Sequence, residues 1–399
     1  MNSFLFVTFL YRFANGLLFL TVSWNLVHSG DGGAMPLAFS AIGGFVPAVI
    51  AAPFARRLLA RVDSRKLTVA GIAGLCLSAL TFVPFAHIPI MMLMINFIVL
   101  SIFFLLEGAW DALLATRANC LTLQESDKLN SRQSAATQAG LMLGGLPVGI
   151  LNRAGGAEAS FFVAASLYVA AILIFLLPAL RAPSNVSQAT VSAWPKEVNA
   201  GSAEPGSLLP PWPTLAALAL VWPCLTLVNM VLPLVANVQG RGTVEHAAVL
   251  DAAIGLGMGF IGVAYEKLTC LSPKLRGYTI VATALLIPLP FIVLSLLPYS
   301  LAPLAVCFFL CGVGFGMLRV DLRKQLIATQ PAHRVGQIVA SCNGYGFPVL
   351  AVLALFYARS WAYGPFVPLV AFTAFAAIGV LATLDNRLRF GEQRNSQRT

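Results

Sequence analysis

The amino-acid sequence predicts an all-α membrane protein of twelve transmembrane helices, arranged as two pseudo-symmetric six-helix halves. Three observations predict it. Of 399 residues, 58% are hydrophobic and only 10% are charged, with a mean hydropathy of +0.84. Soluble domains carry about 25% charged residues, so a soluble enzyme is excluded. The chain also breaks into twelve apolar runs, each near the roughly 20 residues that span a bilayer. Finally, the net charge of +10 sits in short loops on one side of those runs. That is an orientation signal rather than a nucleic-acid footprint.

The runs lie near residues 4–27, 36–55, 67–86, 90–115, 134–152, 159–180, 213–237, 246–265, 277–298, 301–320, 336–358 and 364–386. The first contains Arg12, with no charge near it on either side. This run is too long for a signal-peptide core and lacks a small-residue cleavage site, so it reads as a retained helix. An arginine inside a span is costly and faces protein or a water-filled cavity. Runs two and three are joined by RRLLARVDSRK, which holds Arg56, Arg57, Arg61, Arg65 and Lys66. Run four carries Asn96 and ends in EGAWDALLATRANCL. Its Glu107 and Asp111 are four apart and share one helix face.

Run five contains GLMLGGLPVG, with Gly140, Gly144, Gly145, Pro147 and Gly149. Such glycines allow close helix contact, and the proline permits bending. Residues 183–212 are rich in Ser, Pro, Asn and Ala and interrupt the apolar pattern. They read as a flexible cytoplasmic linker between an N-terminal bundle, 1–182, and a C-terminal bundle with a short tail, 213–399. In run seven, Pro223 and Pro233 flank Asn229, whose amide needs a partner in hydrocarbon. It lines a cavity or bonds to a neighbouring helix. Run ten ends in GMLRVDLRKQLIATQ, with Arg319, Asp321, Arg323 and Lys324. These suit a salt-bridge network that closes an inner gate, or solvated anchors.

Lys128, Arg132, Lys267, Lys274, Arg276 and Arg334 fall on the same side as the loop after run two, whereas Arg153, Arg241 and Arg359 fall opposite. The positive-inside rule then places both termini in the cytoplasm, here of a bacterial inner membrane. The seven cysteines form no CxxC pair. Cys307 and Cys311 share a helix face without a nearby histidine and read as packing residues. No Walker sequence is present, so ATP is not the expected energy source. No cofactor or metal is expected.

The segment PFARRLLARVDSRKL at 53–67 resembles the loop between helices two and three of the major facilitator superfamily. Arg61, Asp63, Arg65 and Lys66 fit that pattern, whereas Ala60 stands where the usual aspartate would be. The resemblance extends to the two halves and the long linker. Within the superfamily, FGMLRVDLRKQLIATQPAHRVGQI resembles the enterobactin-exporter-like siderophore and drug efflux group. The resemblance implies a monomeric secondary transporter in the lipid bilayer, with a small-molecule substrate and protons as partners. It implies that helices one, four, seven and ten line a central cavity, and that Arg61, Asp63 and Arg65, with Arg319, Asp321 and Arg323, form the cytoplasmic gate.

Arg12 lies about 12 Å from the cytoplasmic end of run one at 1.5 Å per residue. Glu107 lies at a similar depth in run four, which travels the other way. Arg12, Glu107 and Asp111, with Asn96 and Asn229, are the expected substrate and proton pathway. The same charges also suit a structural ion pair that fixes helix packing. Glu107 is the expected proton carrier, as the acid furthest from either membrane face. The leading reading is proton-coupled export of a siderophore or drug-like compound by alternating access. Import of a nutrient or siderophore is the alternative on the same fold. A sensor or membrane-embedded enzyme is the alternative of another class, although no compact acid–base or metal motif appears in an aqueous loop.

Overall fold

Hydrocarbon offers no partner to backbone N–H and C=O groups, so a spanning segment must satisfy them within itself. The computed structural model shows the apolar runs doing so as helices. It describes residues 2–28, 33–118, 123–177, 212–238, 243–268, 273–329, 332–371 and 373–374. Within these, some side chains, notably those of 51–61 and 323–341, are outside the description. The expected linker at 183–212 lies almost wholly outside the described residues.

The helices are α1 (Asn2–His28), α2 (Ala34–Arg61), α3 (Ser64–Phe82), α4 (Pro89–Ala118), α5 (Leu123–Leu143) and α6 (Val148–Leu176), followed by α7 (Trp212–Val238), α8 (Val244–Leu268), α9 (Pro273–Ala284), α10 (Leu289–Leu296), α11 (Leu301–Thr329) and α12 (Ala332–Trp361). Residues 366–371 are also helical. No strand occurs among the described residues.

Helix and span do not map one to one, and glycine and proline explain where they part. The fifth run breaks at 144–147, just before Val148 restarts the helix. Gly155 and Gly156 then interrupt α6, and Gly156 has φ 68°, a backbone conformation that costs glycine nothing. The first turns of α6 therefore finish one span, and the remainder forms the next. Likewise α9 and α10 are separated at 285–288, with Pro288 preceding the second piece.

Eight described segments are long and apolar enough to cross a membrane, and Ala34–Gly44 and Gly346–Trp361 are shorter apolar helices. α5 is instructive because it fails that criterion. It starts at Leu123, eleven residues before the expected run, and includes Lys128 and Arg132. Its Gln133, Thr137 and Gln138 are buried because α5 lies between α1 and α8. Polar residues on such a helix face protein instead of lipid, so hydropathy alone sets its boundary too late.

α1 packs against α5 and α6, α3 against α4 and α6, and α2 against α4. Beyond residue 212, α8 packs on α11, α7 on α12, and α11 on α9 and α10. The two sets meet chiefly where α5 touches α8 and where α2 touches α12. Glycines allow these approaches. A Cβ on Gly16 would overlap the Leu141 carbonyl, and one on Gly144 would overlap the Phe13 carbonyl. On α8, Gly255 faces Met142 and Gly262 faces Ala135, both on α5, while Gly257 faces the Phe309 carbonyl of α11.

Candidate functional site

α1 and α4 carry opposite charges at matching depth. Arg12 lies ten residues into α1 and Glu107 eleven residues before the end of α4, about 15 Å from the same face of the bundle in each case. Arg12 Nη2 donates to Glu107 Oε1 at 2.7 Å, with the arginine side chain 5% exposed and the glutamate 22%. Arg12 Nε also donates to the Tyr11 hydroxyl at 2.8 Å. The guanidinium lies 5.0 Å from the Tyr11 ring centroid and 4.7 Å from that of Phe103. An ion, a phenol and two ring faces thus replace the hydration that this arginine has lost.

The surroundings are aromatic and close packed. Trp110, one turn beyond Glu107, stacks on Phe4 at 5.0 Å and lies 4.8 Å from Tyr11. Polar bonds tie α1 to its neighbours around this cluster. Thr8 donates to Gln133 Oε1 on α5 at 3.0 Å, and Tyr168 on α6 donates to Asn15 Oδ1 at 2.5 Å.

A second polar position lies further along α1. Gly16, Phe19, Leu20 and Ser23 of α1, Leu141 and Met142 of α5, Asn229 and Leu232 of α7, and Asp251 of α8 enclose a cavity of about 60 Å³. Asn229 therefore lines a cavity between helices from both sides of the linker. Its buried Oδ1 has no hydrogen-bond partner among the described residues. Apolar periodicity opens the eighth run at 246, which puts Asp251 near an interface. The helix opens at Val244, and Asp251 is 9% exposed. It is thus more enclosed than Glu107, the acid expected to lose most water. The signal was available: an acid inside an apolar run is the same anomaly as Arg12.

The remaining expected residues are placed as follows. Asn96 donates to Ser40 Oγ on α2 at 2.9 Å and lines an outward-facing groove of about 330 Å³ with Phe39, Met94 and Phe97. It ties α4 to α2 and does not meet Arg12 or Glu107. Asp63 caps α3 by accepting from the Arg65 N–H at 3.1 Å. Arg65 Nη2 donates to the Phe175 carbonyl at 3.3 Å. Asp321, on α11 with Arg319, accepts from the Tyr265 hydroxyl at 3.0 Å. Each of these contacts lies within the helices on one side of the linker. The side chains of Asp111, Arg61 and Arg323 lie outside the described residues. Gly140 and Gly144 face backbone carbonyls of α1, Gly145 faces Leu20 and Asp251, and Gly149 faces Glu245. Pro147 closes the break in run five. At the end of the bundle opposite the Arg65 end, Arg153 pairs with Glu245 across the linker division.

The family model for the major facilitator superfamily matches residues 4–352. The chain belongs to the major facilitator superfamily. It is a multi-pass membrane protein and a secondary transporter of small molecules, not an enzyme. Its fold is similar to that of the human organic anion transporter MFSD10 (TETRAN), with a TM-score of 0.63 and 14% identity over 96% of this chain and 99% of that one. It is also similar to that of the nucleoside transporter NupG, with a TM-score of 0.65 and 12% identity over 96% and 98%. No curated protein matches the chain significantly by sequence.

Proposed function

We propose that this chain is a proton-coupled exporter of a small organic molecule, a siderophore or drug-like compound, in the bacterial inner membrane. Both termini and the 183–212 linker face the cytoplasm, and the bundles 1–182 and 213–399 rock about a midplane site. The observation that carries the coupling is the enclosed Arg12–Glu107 contact at 2.7 Å. A solute that competes for Arg12 displaces Glu107 from its counter-ion and leaves that carboxylate to pair with a proton instead. Solute and proton occupancy are then linked. The aromatic rings of Tyr11, Phe103 and Trp110 around the pair favour an organic solute with planar groups over a bare ion. Export is supported by the likeness of 315–338 to the enterobactin-exporter-like group.

The test begins with a deletion strain screened for compounds that become toxic or accumulate inside the cell. The identified compound is then followed in proteoliposomes under an imposed pH gradient. Glu107→Gln should lose gradient-driven net movement and keep compound-for-compound exchange. Wild-type rate and pH dependence in that variant would make the pair structural. Accumulation from outside, driven by inward proton flow, would reverse the direction.

A further inference from the structure

We propose that Asp251, Asn229 and Ser23 form a binding site for one monovalent cation, a proton or Na⁺, in the cavity between the two bundles. Asp251 is nine-tenths buried and has no hydrogen-bond or ionic partner among the described residues. An unpaired carboxylate in such a place costs several kcal/mol, and a positive charge removes that cost. Asp251 lines the cavity together with Asn229 and Ser23, so its carboxylate has open space before it. Asn229 contributes an amide oxygen that lacks a donor, and Ser23 contributes a hydroxyl. Carboxylate, amide and hydroxyl oxygens are the ligands that hard cations take. A cavity of about 60 Å³ holds on the order of four waters, room for an ion that keeps part of its hydration.

Among the described residues, Asp251 is the one charged side chain that lines the cavity. From α1, α5 and α7 the cavity lining is Gly16, Phe19, Leu20, Ser23, Leu141, Met142, Asn229 and Leu232. On α8 the preceding acid, Glu245, is paired with Arg153, and His246 meets the Tyr299 hydroxyl at 3.1 Å. On α11, which packs behind α8, Asp321 is engaged by Tyr265. Arg12 is committed to Glu107. Leu20, which with Asp251 borders Gly145, lies about 12 Å along α1 from Arg12. The cavity does not include Arg12 or Glu107, although its Phe19 packs on the Phe103 ring that covers Arg12. Its walls come from helices on both sides of the linker, so a rocking motion opens it toward one face at a time. A coupling ion needs that access.

The inference takes the transport reading for its consequence only, and its test needs no transported solute. Purified protein is melted while Na⁺ replaces N-methylglucamine at fixed pH and ionic strength, and separately while pH is lowered without Na⁺. The wild type should melt higher as one cation rises, and Asp251→Asn should show no such shift. A response to acid alone identifies a proton site, and a response to Na⁺ identifies a sodium site. Asn229→Ala, which keeps the carboxylate, should weaken the cation response roughly tenfold through loss of one charge-assisted contact. If Asp251→Asn fails to fold, Asn229→Ala carries the test. A wild type indifferent to both cations, or an Asn229→Ala variant with unchanged cation dependence, overturns the proposal.

Discussion

The Arg12–Glu107 pair makes a quantitative prediction through a double-mutant cycle. Glu107→Met leaves Arg12, whose side chain is 5% exposed, with only the Tyr11 hydroxyl and two ring faces. Stranding a buried charge costs about 3–5 kcal/mol. Arg12→Met strands Glu107 instead, but that side chain is 22% exposed and recovers some water. Its cost falls nearer the 1.5–3 kcal/mol of a lost charge-assisted hydrogen bond. Independent effects would sum to roughly 5–8 kcal/mol. The double variant has no charge to strand, and apolar replacements of buried ion pairs are often near neutral. With an allowance for imperfect packing of the two methionines, a total near 2 kcal/mol is expected, and so a coupling of about 3–6 kcal/mol. Denaturant unfolding in mild detergent, followed by tryptophan fluorescence, measures it, and Trp110 reports directly on this cluster. A coupling below about 0.5 kcal/mol, the scatter seen for independent sites, would refute the pairing.

Three further outcomes follow from other parts of the molecule. Gly144→Val places carbon against the Phe13 carbonyl and should cost about 1–3 kcal/mol of stability by overpacking, read as a lower melting temperature; an unchanged melt would mean α1 and α5 do not touch there. Arg153→Ala removes an ion pair whose arginine is 75% exposed. Such pairs contribute about 0–1 kcal/mol, so transport should change less than about fivefold, and total loss of transport would show a larger role. A cysteine at Ser202 should resist a membrane-impermeant maleimide in intact cells and react after lysis, while labelling from outside would invert the topology.

Much of this architecture was legible because membrane folding leaves simple marks. Apolar runs located the helices, and the isolated Arg12 pointed to Glu107 through equal depth on antiparallel helices. What failed was information held in packing. Residues 123–133 read as a polar loop because hydropathy assumes lipid around a helix, whereas α5 has α1 and α8 on its flanks. Asn96 is expected in one pathway with Glu107, but it meets Ser40 because α2 packs against that stretch of α4. Asp251 carried the same sequence signal as Arg12. Its enclosure depends on α1 and α5, which are far away in the chain, and no local window contains them.

The glycines of α8 have a mechanical consequence. One side of that helix meets α11, its neighbour after the linker, with glycine on both partners: Gly257 seats the Phe309 carbonyl, while Gly312 and Gly316 seat Ile254 and Met258. The backbones there are keyed into one another. The other side meets α5, and there Gly255 and Gly262 lie against Met142 and Ala135, with the Ser131 hydroxyl donating to the Gly262 carbonyl. A methionine sliding over glycine re-seats by turning its own flexible bonds, without dislodging a carbonyl. α8 is thus keyed backbone to backbone on its α11 side and rests largely on side chains on its α5 side. Friction in the transport cycle should be set by residues 255 and 262, where an added methyl group would press on Met142 and Ala135 of α5.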